Sequence, residues 1–218
     1  AIALAPDQRQ LRLRYASALQ AAGELEQATS ELERALERVG GRCVETSRRL
    51  ALAYNEMGAR TTSKGDFALA SDYLERGVRL TQPHTPPVIL LNRGDVQRAY
   101  GHDDAARRSY ESVLEALDGV AIDGADRELH RGAAVRLALL HDQRGTELFN
   151  RGSYADALDA FVRATDLDPS NAQAHLHRAE AALPLARYGT ARDHLFAALE
   201  HDPHLARAHE LLARLVPS

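Results

Sequence analysis

The chain has 218 residues, 44% apolar and 27% charged, which is enough apolar content to bury a core and excludes a disordered linker. Its 27 basic and 31 acidic side chains give a net charge of −4, which excludes the basic footprint of a nucleic-acid or anionic-membrane binder. The single Cys43 excludes a disulfide framework and a cysteine zinc site and, with no signal peptide and no run near the ~18 apolar residues of a membrane span, leads us to expect a cytoplasmic chain without membrane insertion.

The predicted elements follow an internal repeat. Asp168-Pro169 and Asp202-Pro203 lie 34 residues apart, as do Tyr154 and Tyr188, Ala157 and Ala191, Ala164 and Ala198, and the series His141, His175 and His209. Sliding that frame toward the N-terminus gives repeats at 9–42, 51–84, 87–120, 138–171 and 172–205. Position 8 of the frame is Ala16, Gly58, Gly94, Gly145 and Ala179, and position 20 is alanine throughout, at Ala28, Ala70, Ala106, Ala157 and Ala191. Position 24 is Leu32, Leu74, Tyr110, Phe161 and Leu195; position 27 is Ala35, Gly77, Val113, Ala164 and Ala198.

Each repeat reads as a helical hairpin. Small residues at positions 8 and 20 let two antiparallel helices approach, while the large residue at 24 and the small one at 27 are expected to interlock with the next hairpin. Gly23, Gly65, Gly101 and Gly152 at position 15 suit the left-handed cap that ends the first helix, with Ala186 as the departure. Asp-Pro at positions 31 and 32 ends the second helix, because the residue before proline is forced out of the helical region. Between the third and fourth repeats lies an insertion, 121–137, opening with Ile122-Asp123-Gly124-Ala125-Asp126 and then helical. Its plainer reading is a longer first helix capped by Asp123 or Asp126; its rarer reading is an arm that contacts a partner or folds into the groove. Residues 206–218 begin a sixth helix, with His209, Leu212 and Ala213 at frame positions 4, 7 and 8 and Pro217 as its stop, serving as the cap a solenoid end requires.

The small–aromatic–small skeleton of Gly145, Tyr154, Ala157, Phe161, Ala164 and Pro169 resembles the tetratricopeptide repeat over about nine tenths of the chain. That resemblance implies an all-α, right-handed superhelical solenoid of five hairpins plus a cap, forming one array over 1–218. It departs from the pattern at Asp103, where an aromatic is usual, and at Gly40, Gln82 and Asp118, which replace proline.

No catalytic signature is present: the sequence has no GxGxxG, phosphate-binding loop, GxSxG or HExxH. A non-enzyme without cofactors is expected. Of the ten histidines, His141, His175 and His209 occupy a packing position of the frame, and no pair has a carboxylate or Cys at ligand spacing, so structural roles are expected rather than a metal. Arg93, Arg144 and Arg178 recur at position 7. They form either an anion ladder or, more plainly, guanidinium forks onto second-helix carboxylates, with Asp159 and Asp193 as partners.

Function is expected on the first-helix face, which in the family lines a concave groove at positions 2, 5, 6, 9, 12 and 13. Here those positions place Arg14, Asn55, Glu56, Asn92, Asp95, Arg98, Asp142, Gln143, Asn150, His177 and Glu180 on the groove. Amide side chains there both donate to and accept from a peptide backbone, so a protein or peptide partner is expected. Co-chaperone members hold the terminal carboxylate of heat-shock chaperones with basic residues at position 2, which here reads Gln10, Leu52, Val88, Leu139 and Gln173. Chaperone tails are therefore not expected as partners. Leu91-Asn92-Arg93-Gly94, His177-Arg178-Ala179 and Ala191-Arg192-Asp193 are also similar to family members of ciliated cells, implying a cytoskeletal or ciliary adaptor. The alternatives are an adaptor of an enzyme or secretion complex and a self-associating structural protein.

Overall fold

The computed structural model describes residues 6–41, 43–119 and 123–215, and these form eleven helices with no strand among them. They are α1 (Pro6–Ala21), α2 (Leu25–Arg38), α3 (Val44–Ser63), α4 (Phe67–Thr81), α5 (Pro87–Ala99), α6 (Asp103–Leu117), α7 (Gly124–Asn150), α8 (Tyr154–Leu167), α9 (Ala172–Ala182), α10 (Tyr188–His201) and α11 (Ala206–Leu215). Arg42, Val120, Ile122 and Pro217, which bear on the expected repeat ends, the insertion and the last helix stop, lie outside the described residues. The chain divides into two compact units, one up to Leu129 and one from His130.

Helix ends follow local chemistry. After α1, α3, α5 and α8's predecessor α7, the chain turns at Gly23, Gly65, Gly101 and Gly152 with φ between 78° and 81°. Ala186 takes the same left-handed turn at φ 56°, against the steric preference of a residue with a Cβ. Asp66 and Asn171 cap α4 and α9, their side chains accepting from the backbone N–H of Leu69 and Ala174 at 3.1 Å. Asp123 Oδ1 accepts from Asp126 N–H at 2.9 Å, so of the two candidate caps it is Asp123 that starts α7. Residues 124–137 of the insertion thus open a 27-residue helix, in line with its plainer reading.

In the first unit, α3 and α4 meet where Gly58 faces Leu74, and α5 and α6 meet where Gly94 faces Tyr110. A Cβ at Gly94 would stand 2.4 Å from Tyr110 Cε1, so the helix pair is as close as it is only because that atom is missing. A core of Leu13, Ala16, Leu32, Leu50, Ala53 and Tyr54 joins α1, α2 and α3. In the second unit Gly145 faces Phe161 in the same way, and Phe161, Leu176, Ala179, Leu195, Ala208 and Leu211 belong to one core shared by α8 to α11.

One packing expectation is extended and one corrected. The large residue at position 24 lies over the small residue of its own hairpin as well as against the next one, Phe161 facing Gly145 and standing 5.4 Å from the His177 ring. Position 27 is likewise shared: a Cβ at Gly77 would sit 3.2 Å from Ala51 O of its own hairpin and 3.6 Å from Ile89 of the following helix. At the end of the chain, Ala208 and Leu211 bury α11, rather than His209 and Ala213, which are exposed.

Candidate functional site

Within each unit the structure links some of the candidate residues across successive hairpins. In the first unit the Asn92 amide on α5 donates to Asn55 Oδ1 on α3 at 2.8 Å. In the second unit His177 on α9 donates from Nδ1 to Asp142 Oδ1 on α7, also at 2.8 Å. Both bonds run from frame position 5 of one hairpin to position 6 of the next, one structural slot filled once by an amide pair and once by an ionisable pair.

The His177 ring is set from three sides. A carboxylate only accepts, so Nδ1 bears the proton; Nε2 then accepts from the Gln173 amide at 2.8 Å. The Phe161 ring, 5.4 Å away between centroids, backs it from α8. Burial pulls the imidazole down, but the Asp142 hydrogen bond and the charges of Asp142 and Glu180 outweigh it and hold the group above its ordinary value. Glu180 in turn accepts from Arg207 of α11 at 2.9 Å, and Arg207 also reaches Glu210 at 2.8 Å.

The remaining candidates divide by environment. Asp95 accepts the Tyr110 hydroxyl at 2.8 Å, so this carboxylate stabilises the hairpin as well as facing outward. Arg14, Glu56, Arg98, Gln143 and Asn150 are exposed and free to meet a ligand from solvent. Gln173, Arg207, Tyr110 and Phe161 are the contributors the sequence reading left out of the site. Gln173 and Arg207 both sit at frame position 2, a groove position, and that is the signal from which they were accessible.

Two of the three arginines in the row meet second-helix carboxylates, though neither Asp159 nor Asp193. Arg93 donates from Nε to Ser109 Oγ at 3.0 Å, Ser109 donates onward to Gln97 Oε1 at 2.7 Å, and Glu75 lies 3.7 Å from the guanidinium. Arg178 donates to Thr165 Oγ1 at 2.7 Å with Asp166 at 3.9 Å, and Arg144 pairs with Glu147 of its own helix at 3.0 Å. Asp193 instead lies 3.6 Å from Arg192. Arg93 and Arg178 thus donate to a hydroxyl while lying near a second-helix carboxylate, Glu75 on α4 and Asp166 on α8, and Arg144 stays on its own helix.

Among the described residues, no three His, Cys, Asp or Glu side chains converge as metal ligands, and no helix is long and apolar enough to cross a membrane. An open cavity of about 1180 Å³ in the first unit lies beside the Gln82–Pro87 connection. Arg48, Arg93 and Glu115 line it together with Val44 and Leu90, a mixture of signs that selects no single ligand chemistry.

Residues 145–183 match the family model described as TPR repeat. The chain is 38% identical over 71 residues to the inactive TPR repeat-containing thioredoxin TTL3 of Arabidopsis thaliana, a match covering 33% of this chain and 10% of that protein. It is 32% identical over 125 residues to RNA polymerase II-associated protein 3 of Xenopus tropicalis, covering 56% of this chain and 17% of that protein. The chain therefore corresponds to a small part of either relative. Among solved structures, YrrB, a TPR protein with an unusual peptide-binding site, superposes with a TM-score of 0.52 at 20% identity over 92% of this chain and 89% of its own, a likeness of fold.

Proposed function

We infer that this chain, which belongs to the tetratricopeptide repeat family, is a non-enzymatic protein–protein scaffold that holds a partner segment on its first-helix faces. The observation that carries this reading is the pair of cross-hairpin bonds, Asn55–Asn92 and Asp142–His177, flanked by exposed Glu56, Arg98, Gln143 and Asn150. Bonded side chains hold the floor of each face in place, and the exposed ones offer donors and acceptors at little ordering cost to a peptide backbone. YrrB, by its description, also binds peptide, which supports the reading by analogy of fold alone.

The test compares the chain with its Glu56→Arg/Gln143→Arg variant as baits in affinity capture with mass-spectrometric identification. Neither residue is bonded to the core, so the variant keeps its fold while the face changes charge. The scaffold reading expects at least one partner captured by the parent chain and lost by the variant; identical partners for both baits overturn it. Axonemal or tubulin-associated partners would make it a ciliary adaptor, and subunits of an enzyme or secretion complex would make it the alternative kind.

One observation favours a second reading, association through a repeat end. Leu11 and Tyr15 of α1 are 69% and 53% exposed, whereas the residues sharing the frame position of Leu11 (Ala53, Ile89, Leu140, Ala174 and Ala208) are all buried. Light scattering on the chain and on a Leu11→Glu/Tyr15→Glu variant tests it: a concentration-dependent mass that the variant abolishes supports self-association, and a monomer throughout refutes it.

A further inference from the structure

Helix α1 has two exposed sides of different character. Arg14 and Ser17 lie on the groove side, whereas Leu11, Tyr15, Ala18 and Ala22, all exposed, follow one another at spacings of four, three and four residues. That is the spacing of a helix–helix seam, and it sets the four on one uncharged stripe about 16 Å long. Although α1 ends at Ala21, the Ala22 N–H still donates to Ala18 O at 3.0 Å, which keeps Ala22 in the helical register.

In α3 and α5 much of this side is buried. Ile89, the counterpart of Leu11, is wholly buried and faces Gly77 of α4, the second helix of the hairpin before it. Met57 of α3 and Val96 of α5, the counterparts of Tyr15 and Ala18, are buried too. Among the described residues no second helix stands before α1. An open cavity of about 330 Å³ between α1 and α2, lined by Tyr15, Leu19, Ser30 and Arg34, leaves room beside the stripe for the flank of another helix.

The order large, large, small, small fits a second copy of itself. In an antiparallel pair Leu11 of each copy meets Ala22 of the other and Tyr15 meets Ala18, since both pairs share one midpoint between Ala16 and Ser17. Each large side chain then lies over a small one, the complement that Tyr110 and Gly94 already show within a hairpin. A parallel pair would set Tyr15 on Tyr15 and leave the alanines facing a gap. Arg12, which flanks the stripe towards α2, is already paired with Glu31 at 2.7 Å.

We propose that α1 is a self-complementary seam through which two copies of this chain pair, antiparallel and about a two-fold axis. This rests on the association through a repeat end put forward above and specifies its occupant and register. One 16-residue helix per copy, with its α2 flank, buries on the order of 1,000 Å² in all, below the standard interface, so the dimer is a reversible one. Arg14 stays off the seam, so pairing leaves the groove side of α1 open.

Sedimentation of the chain and its variants between about 1 and 500 µM tests the seam. The parent mass is expected to rise towards twice 23.9 kDa. Ala18→Tyr sets ring on ring at both crossings and is expected to weaken pairing at least about tenfold. Tyr15→Ala/Ala18→Tyr exchanges large for small and is expected to restore pairing to within about threefold. Both sites are exposed, and an unchanged circular-dichroism melt checks that the fold is kept. Ala18→Tyr pairing as the parent does, or a double variant that stays monomeric, overturns the seam; repeat-end association then stands if Leu11→Glu/Tyr15→Glu still abolishes the dimer. A parent chain monomeric throughout overturns both and leaves the face to a foreign helix. In a Cys43→Ser background, Leu11→Cys chains mixed with Ala22→Cys chains are expected to form the mixed disulfide, because only this register brings their Cα atoms within the bridging range of ~4.4–6.8 Å. Leu11→Cys chains that bridge to one another instead overturn the antiparallel register.

Discussion

Gly94→Ala sets two opposed effects against each other in one atom. In an exposed helix interior, alanine for glycine stabilises by about 1 kcal/mol through backbone entropy. At Gly94 the added Cβ would lie 2.4, 2.8 and 3.0 Å from Cε1, Cδ1 and Cζ of Tyr110, where carbon atoms rest at ~3.5–4.0 Å. The ring has nowhere to retreat, since Tyr110 is wholly buried and its hydroxyl is anchored on Asp95. Overpacking of this kind costs ~1–3 kcal/mol, and release of the Tyr110–Asp95 bond adds ~1–2 kcal/mol, so after the entropic gain the net effect is a loss of ~1–4 kcal/mol. Urea unfolding followed by circular dichroism measures it as a lower midpoint at constant slope. The Tyr110→Ala background, which removes the crowded ring atoms, should make the same substitution nearly neutral, so the coupling in the double-mutant cycle is the whole loss of ~1–4 kcal/mol. A Gly94→Ala chain more stable than its parent, or a cycle with no coupling, would refute the packing argument.

Other outcomes follow from single features. Ala186→Gly should stabilise by about 1 kcal/mol in the same urea assay, because φ 56° costs alanine and not glycine. Removing residues 206–218 should uncover the α10 surface around Leu195 and Ala198, both fully buried, and give association by light scattering with a lower midpoint; a stable monomer would contradict the cap. Stability should peak between about pH 6 and 7, for two reasons of opposite sign. His194 is depressed to about 4, mainly by burial, so the unfolded chain takes up its proton first and stability is lost as pH falls from about 6.5 toward 4. By linkage that is at most ~3 kcal/mol, reduced to ~1–2 by the ring's partial exposure. His177 is raised, so its contribution is complete below about 6.5 and disappears as pH climbs through its folded value. His194→Gln should flatten the acid limb and His177→Gln the neutral one, each read from thermal midpoints across pH.

The turn positions were legible because their cause is local. A left-handed cap selects glycine and a proline ends the helix before it, and neither depends on a distant partner. The glycines at position 8 were legible as close approaches, but the atom they approach was not. Leu74, Tyr110 and Phe161 stand at the same spacing whether they pack only forward or over their own hairpin too, and only the interhelix geometry decides. Asn55 and Asn92, like Asp142 and His177, were legible as facing residues and not as partners, since their bonds join position 5 to position 6 across a turn of varying length. The arginine row was legible as to class and not as to partner: Arg93 and Arg178 do lie near second-helix carboxylates, but a guanidinium reaches several residues along a neighbouring helix, so Glu75 and Asp166 stand in place of Asp159 and Asp193 and Ser109 and Thr165 take the shorter bonds.

Hydrogen exchange on a captured complex addresses the scaffold reading most directly. With the partner bound, the account predicts added protection in α3 and α5, or in α7 and α9, around Asn92 and His177, and little change in α2, α4, α6, α8 and α10. Protection confined to those second helices, with α3, α5, α7 and α9 unchanged, would contradict it.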